Sequence, residues 1–137
     1  MITVILSIIF YSCSGIFDAI MDTLKDHYVE CIFKGLNPQF WNPLVSWKNK
    51  YINADPSQGH KFKKILGIKI NFPPDAFSDA WHTCKTIREG FNILAILSLI
   101  FVTLHFSWTI ILGTFICLAI FRNLSFMIFY NLLLIKK

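Results

Sequence analysis

The residues best equipped for chemistry fall in two short stretches. In the first, Asp18, Asp22, Asp26 and Glu30 recur every four residues, which on a helix makes a slowly turning acidic stripe. In the second, Asp75, Asp79 and His82 share one helical face, with Thr86 and Glu89 close by on it. The D-A-W-H segment at residues 79–82 sets a carboxylate and an imidazole three apart. That spacing lets one helix give two ligands to one ion, as Glu-x-x-His does in di-iron bundles. Joined, the two stretches predict a site of Asp18, Asp22, Asp79 and His82 for a divalent metal such as zinc or manganese. Such an ion would activate water or polarise a phosphate. The competing reading is simpler. Acids just past an apolar span face water, Asp75 starts a helix, and His82 hydrogen-bonds Asp79 for structural reasons.

Other candidates carry less. His27 and Cys31 are four apart but lack a second pair at zinc spacing. His105 reads as a polar cap, and Arg122 as a side chain that snorkels to the membrane interface. There is no G-x-S-x-G, phosphate-binding Gly loop or H-E-x-x-H, and no Ser–His–Asp set can be assembled. The four cysteines are scattered without a C-x-x-C pair, so disulfides are not expected.

The elements that must position these groups are set by where charge is missing. The chain is 55% hydrophobic and 15% charged, and residues 1–17 and 91–121 contain no Asp, Glu, Lys or Arg. About eighteen such residues suffice for a bilayer-spanning helix. The uncharged opening at residues 1–4 lacks the positive start of a signal peptide, which favours a retained span. A single helix over 91–121 would measure about 45 Å, against a hydrocarbon core of about 30 Å. Two spans with a tight turn near residues 105–108 fit better, although that turn lacks Gly and Pro. The expected fold is therefore an all-α membrane protein with about three transmembrane helices and a cytoplasmic interfacial loop between the first and second. Along the single membrane domain, residues 1–34 form the first span and its extension, and 35–73 the loop. Residues 74–104 form a helix and the second span, and 107–137 the third span and a basic tail.

Ten of the thirteen basic residues lie between Lys25 and Arg88, and the rest are Arg122, Lys136 and Lys137. The positive-inside tendency then puts the loop and C-terminus in the cytoplasm and the N-terminus outside, in the cell (inner) membrane. Residues 40–51 mix Trp, Tyr and Phe with lysines, a composition that suits the head-group layer better than nucleic acid. The first helix is expected to continue past the membrane as far as Gly35, where Asn37-Pro38 stops it. Residues 61–72 read as a short extended segment, and Pro73-Pro74-Asp75 as the start of the second long helix.

The W-N-P-L-V-S-W-K-N-K-Y segment at 41–51, followed by D-A-W-H at 79–82, resembles small integral membrane proteins of bacteria and their phages. The resemblance covers roughly residues 18–85. It implies a bacterial-type membrane setting and, since no activity is established for that group, assigns no site residue. The expected function is a non-catalytic subunit, scaffold or membrane-active component. Its partners are the lipid bilayer and a homo-oligomer or membrane complex, with no nucleic acid. The alternatives are a metal-dependent membrane-interface enzyme acting on a lipid-linked or phosphate-bearing substrate, and an oligomeric transporter subunit.

Overall fold

A computed structural model describes residues 1–61, 64–65, 68–69 and 75–135. Its architecture is all-α, apart from a two-residue antiparallel pair between β1 (Lys64–Ile65) and β2 (Ile68–Lys69). Three helices are long and apolar enough to cross a membrane: Ile2–Asp26, Ala80–His105 and Trp108–Leu134. This is the build of a multi-pass membrane protein. The prolines expected to open the second span, and the basic tail of Lys136 and Lys137, lie outside the described residues.

Helix α1 (Ile2–Asp26) is the axis of the fold. Between α1 and the second span come α2 (Pro38–Trp41) and α3 (Pro43–Ser46), each a single turn. The second span is α4 (Ala80–His105), and the third is α5 (Trp108–Ile128), prolonged by a π-helical turn, Phe129–Leu134. Both α4 and α5 pack along α1 and scarcely touch each other. Helix α4 runs against α1, so that Phe91 sits near Phe10 and Phe17, with ring centroids 6.3 and 5.8 Å away. Helix α5 runs parallel to α1, and its continuation ends where Ile135 pairs with Cys31.

Small residues line the buried side of α1. Ser7, Ser14 and Ala19 are fully buried. The Ser7 and Ser14 hydroxyls donate back to carbonyls of α1 itself, at 2.9 and 2.7 Å, so neither takes an unsatisfied polar group into the interior. Ser125 donates across the helices to the Ser12 carbonyl at 2.8 Å. At Gly15, a Cβ would stand 2.6 Å from the Arg122 carbonyl oxygen and 2.8 Å from Ser125 Oγ. The opposite faces carry exposed Ile2, Ile5, Ile93, Leu97, Leu112 and Ile116. In water such a surface would be a liability; against lipid it is the proper exterior.

Two expectations from sequence are corrected. The first helix stops at Asp26 instead of running to Gly35. His27 leaves helical geometry, and Cys31 is extended to meet Ile135, which draws the chain across the end of α1. Tyr28, Val29 and Ile32 offer little helix propensity to oppose this. The second long helix begins at Ala80, with Asp79 as its N-cap, and not at Asp75. The third helix runs through Arg122. The turn between α4 and α5 falls where it was expected and needs no Gly or Pro. Phe106 and Ser107 both reverse the chain in extended geometry, and His105 caps α4 through the Phe101 carbonyl at 2.9 Å.

The loop is built from repeated Asx–Pro starts. Asn37, Asn42 and Asp55 each precede a proline, and each side chain accepts the backbone N–H two residues on, at 2.9–3.0 Å. Asn37-Pro38 thus opens a turn of its own. The Ser57 amide and hydroxyl hold the Asp55 carboxyl below the ordinary carboxylate range. Asp75 ties the loop to the foot of α4, taking Lys50 at 3.7 Å and His60 at 3.3 Å. Beneath the loop, Leu24, Cys31, Phe33, Ala80 and Leu134 form the buried cluster, with Trp41 stacked on Phe33 at 4.6 Å.

The contact at Gly15 is testable. Gly15→Ala is expected to destabilise the detergent-purified protein by about 1–3 kcal/mol, through overpacking against backbone. Gly90→Ala, where nothing lies within 4 Å of the added Cβ, is expected to be neutral or slightly stabilising. Equal thermal midpoints for wild type and Gly15→Ala would refute the close approach.

Candidate functional site

The two acidic stretches lead to different places. Asp18 faces the interior of the bundle, where Arg88 of α4 and Arg122 of α5 both reach it. These are the only arginines in the chain, beside eleven lysines. Arg88 Nη1 donates to Asp18 Oδ1 at 2.9 Å, and Arg122 Nη2 donates to Oδ2. Arg88 also donates to Glu89. The side chains of Asp18, Arg88 and Arg122 are 15%, 24% and 32% exposed, so the pairs are shielded without being sealed. A guanidinium suits this role because its fork can serve one carboxylate while keeping other donors free. Arg122 also lies 5.4 Å above the Tyr11 ring. Read from sequence, Arg122 has no partner; the structure supplies one, the Asp18 carboxylate on the neighbouring helix.

A cleft of about 620 Å³ opens beside this cluster, between the faces of α4 and α5 that do not meet. One end is polar, with Glu89 and Asn92 on α4 opposite Arg122 and Asn123 on α5. Deeper in, the walls are Ala95, Leu99, Phe115 and Leu118, and Tyr11 of α1 also lines it. Arg122 Nε and Asn92 Oδ1 are buried and have no hydrogen-bond partner among the described residues.

Asp79 and His82 form the second place. The Asp79 residue is 2% exposed and spends its carboxylate locally. Oδ1 accepts the His82 backbone N–H at 2.9 Å, while Oδ2 meets His82 Nδ1 at 2.7 Å and accepts from Ser78 Oγ at 3.1 Å. The pair fixes the imidazole and leaves Nε2 as its remaining ring nitrogen. A shallow pocket of about 240 Å³ lies there, lined by Lys25, Ser46, Trp47 and Trp81 as well as the pair. The chemistry this offers is proton exchange at His82 beside a lysine cation.

The four predicted metal residues therefore do not converge. Asp18 is held by two arginines, Asp79 and His82 sit together at the foot of α4, and Asp22 is exposed on α1. Among the described residues no three His, Cys, Asp or Glu side chains are grouped to hold a metal ion. The rest of the stripe disperses as well: Asp26 lies 4.0 Å from Lys25, and Glu30, off the helix, lies 3.9 Å from His27. Arg88 was the functional residue missed. Its signal was available in the sequence: Asp18, the adjacent Arg88–Glu89 and Arg122 are the charges that border the uncharged parts of three different spans, and they include the only two arginines.

Removing Asp18 leaves two cations facing each other. Asp18→Ala is expected to cost about 3 kcal/mol, the low end for breaking a buried pair because this one is partly exposed. Replacing Asp18, Arg88 and Arg122 together by Leu, Met and Leu is expected to recover most of that loss. Thermal unfolding in detergent measures both, and a triple variant less stable than Asp18→Ala would contradict the pairing. No protein-family model, curated protein or solved structure matches the chain.

Proposed function

We propose that this is a small polytopic protein of the cell (inner) membrane that acts without catalysis, as a subunit, scaffold or membrane-active component. Its first partner is the lipid bilayer, and a homo-oligomer or membrane complex is the second. The observation that carries this reading is where the charged groups go. Those entering the bundle neutralise one another at Asp18, and those at the foot of α4 cap helices and pin the loop. Groups committed in this way hold a structure together; they are not poised for turnover.

Sidedness supports the orientation read from sequence. The ends of α1 and α5, the start of α4 and the described residues between Asp26 and Ala80 share one end of the bundle, where the charged residues collect. Among the described residues, the other end has residue 1 and the α4–α5 turn, with no Asp, Glu, Lys or Arg. The basic excess puts the charged end in the cytoplasm. Trp47, Tyr51 and Trp81, each beside a lysine at 5.4–5.7 Å, suit the head-group layer there.

Cysteine labelling tests this arrangement. The native Cys31 and Cys84 are buried and make poor reporters, so exposed Asn53→Cys and Ser107→Cys serve on a cysteine-free background. Asn53→Cys is expected to react with a membrane-impermeant maleimide only after cells are opened, and Ser107→Cys in intact cells. The reverse pattern would invert the topology, and reaction of both in intact cells would remove the three-span reading.

A second reading, a membrane-interface enzyme for a lipid-linked or phosphate-bearing substrate, is favoured by the Asp79–His82 contact and the nearby Lys25. Purified protein incubated with zinc or manganese and then desalted separates the two. The non-catalytic reading expects no stoichiometric metal and no hydrolysis of a phosphate-ester lipid probe. Bound metal lost in His82→Ala, or hydrolysis falling about a hundredfold or more in that variant, would establish the enzyme instead.

A further inference from the structure

The cleft between α4 and α5 has a polarity that runs in one direction. Its polar end, at Glu89 and Arg122, faces the charged end of the bundle. From there the walls become apolar towards Leu99 and Phe115 over about 10–15 Å. A lipid in the leaflet on that side has the same gradient, head group at the rim and chain towards the midplane. The volume of about 620 Å³ falls within the range of about 300–1,000 Å³ common for small-molecule sites.

We propose that this cleft binds one zwitterionic aminophospholipid of the charged-side leaflet. Its phosphate sits on Arg122, its ammonium on Glu89, and part of one acyl chain lies along Ala95, Leu99 and Phe115. Arg122 is suited to the phosphate because it lines the polar end of the cleft and Asp18 takes only its Nη2. A guanidinium can therefore bind the carboxylate and the phosphate together. Charge selects the head group. Asp18, Arg88, Glu89 and Arg122 sum to zero, so a phosphoethanolamine group keeps the site neutral, while an anionic lipid adds an uncompensated negative charge next to Glu89. Glu89 is half exposed, leaving its carboxylate open to an ammonium beyond its contact with Arg88. Among the described residues no helix covers the apolar depth of the cleft, because α4 and α5 scarcely meet around it.

The proposal rests on the multi-pass reading, and its test can fail separately from that reading. Detergent-purified full-length protein is titrated with phosphatidylethanolamine, phosphatidylglycerol or diacylglycerol and observed by native mass spectrometry. One phosphatidylethanolamine per protein is expected to survive activation, bound about tenfold or more tightly than either competitor. Ala119 also lines the cleft, and Ala119→Phe, which fills it without removing a charged group of the ion cluster, is expected to abolish that retention while leaving thermal stability in lipid-free detergent unchanged. Glu89→Gln is expected to erase the preference over phosphatidylglycerol. Retention undiminished in Ala119→Phe, or equal retention of diacylglycerol or phosphatidylglycerol by the wild type, would overturn the proposal. So would a disulfide-linked dimer of Ala119→Cys forming in native membranes, because a second copy would then cover the cleft. Failure here with the maleimide pattern intact rejects the lipid site alone.

Discussion

Asp18 gives one carboxylate oxygen to a helix on each side of it, and the arrangement of the three spans depends on that division. Lipid supplies no hydrophobic force to press apolar helices together, so association inside a bilayer rests on close packing and on polar groups that find each other. The chain uses both on α1. Gly15 and its neighbouring serines bring α5 within backbone contact, and Asp18, less than one turn further on, draws in Arg122 from α5 and Arg88 from α4. Helices α4 and α5 follow one another in sequence and hardly touch, because each is fixed to α1 independently. The cleft between them is a by-product of this plan: two helices tied to a third at one level need not close on each other.

The distribution of burial follows from the same constraint. The apolar cluster around Leu24, Phe33, Ala80 and Leu134 lies under the loop at the charged end, where water is nearby and hydrophobic burial is effective. Towards the other end the helices show Ile and Leu outward and bury mainly small residues such as Ser7 and Ala95. One end of the molecule is thus held together in the manner of a water-soluble core, and the other in the manner of a membrane helix pair. The Asp18 cluster lies between the two regimes, where neither effect alone would fix the helices.

Features of the sequence that depend on an absence were legible. Missing charge over residues 1–17 and 91–121 marked the spans, and the limit on helix length located the turn at His105–Trp108, where the structure has it. Features that depend on a partner were not. Periodicity placed Asp18 and Asp22 on one stripe, but their fates differ because Asp18 meets two guanidiniums from distant parts of the chain and Asp22 meets solvent. Asp75 and Asp79 are both plausible helix starts by local chemistry; the choice of Asp79 is bound up with Asp75 being taken by Lys50 and His60, contacts that only the folded loop creates. The end of α1 at Asp26 likewise reflects Ile135, more than a hundred residues away in sequence, which pairs with Cys31. Local pattern identified the elements, and long-range pairing decided what their polar residues do.

The pairing of Asp18 with Arg122 spans 104 positions of the chain. During synthesis α1 enters the membrane long before its second arginine exists, and its carboxylate must spend that interval with water or lipid head groups as its only company. Arg88 gives it a first counter-charge, and the arrival of α5 completes the set. The carboxylate is therefore fully paired only when all three spans are in place, and a chain missing its last helix would leave one of its oxygens without an arginine.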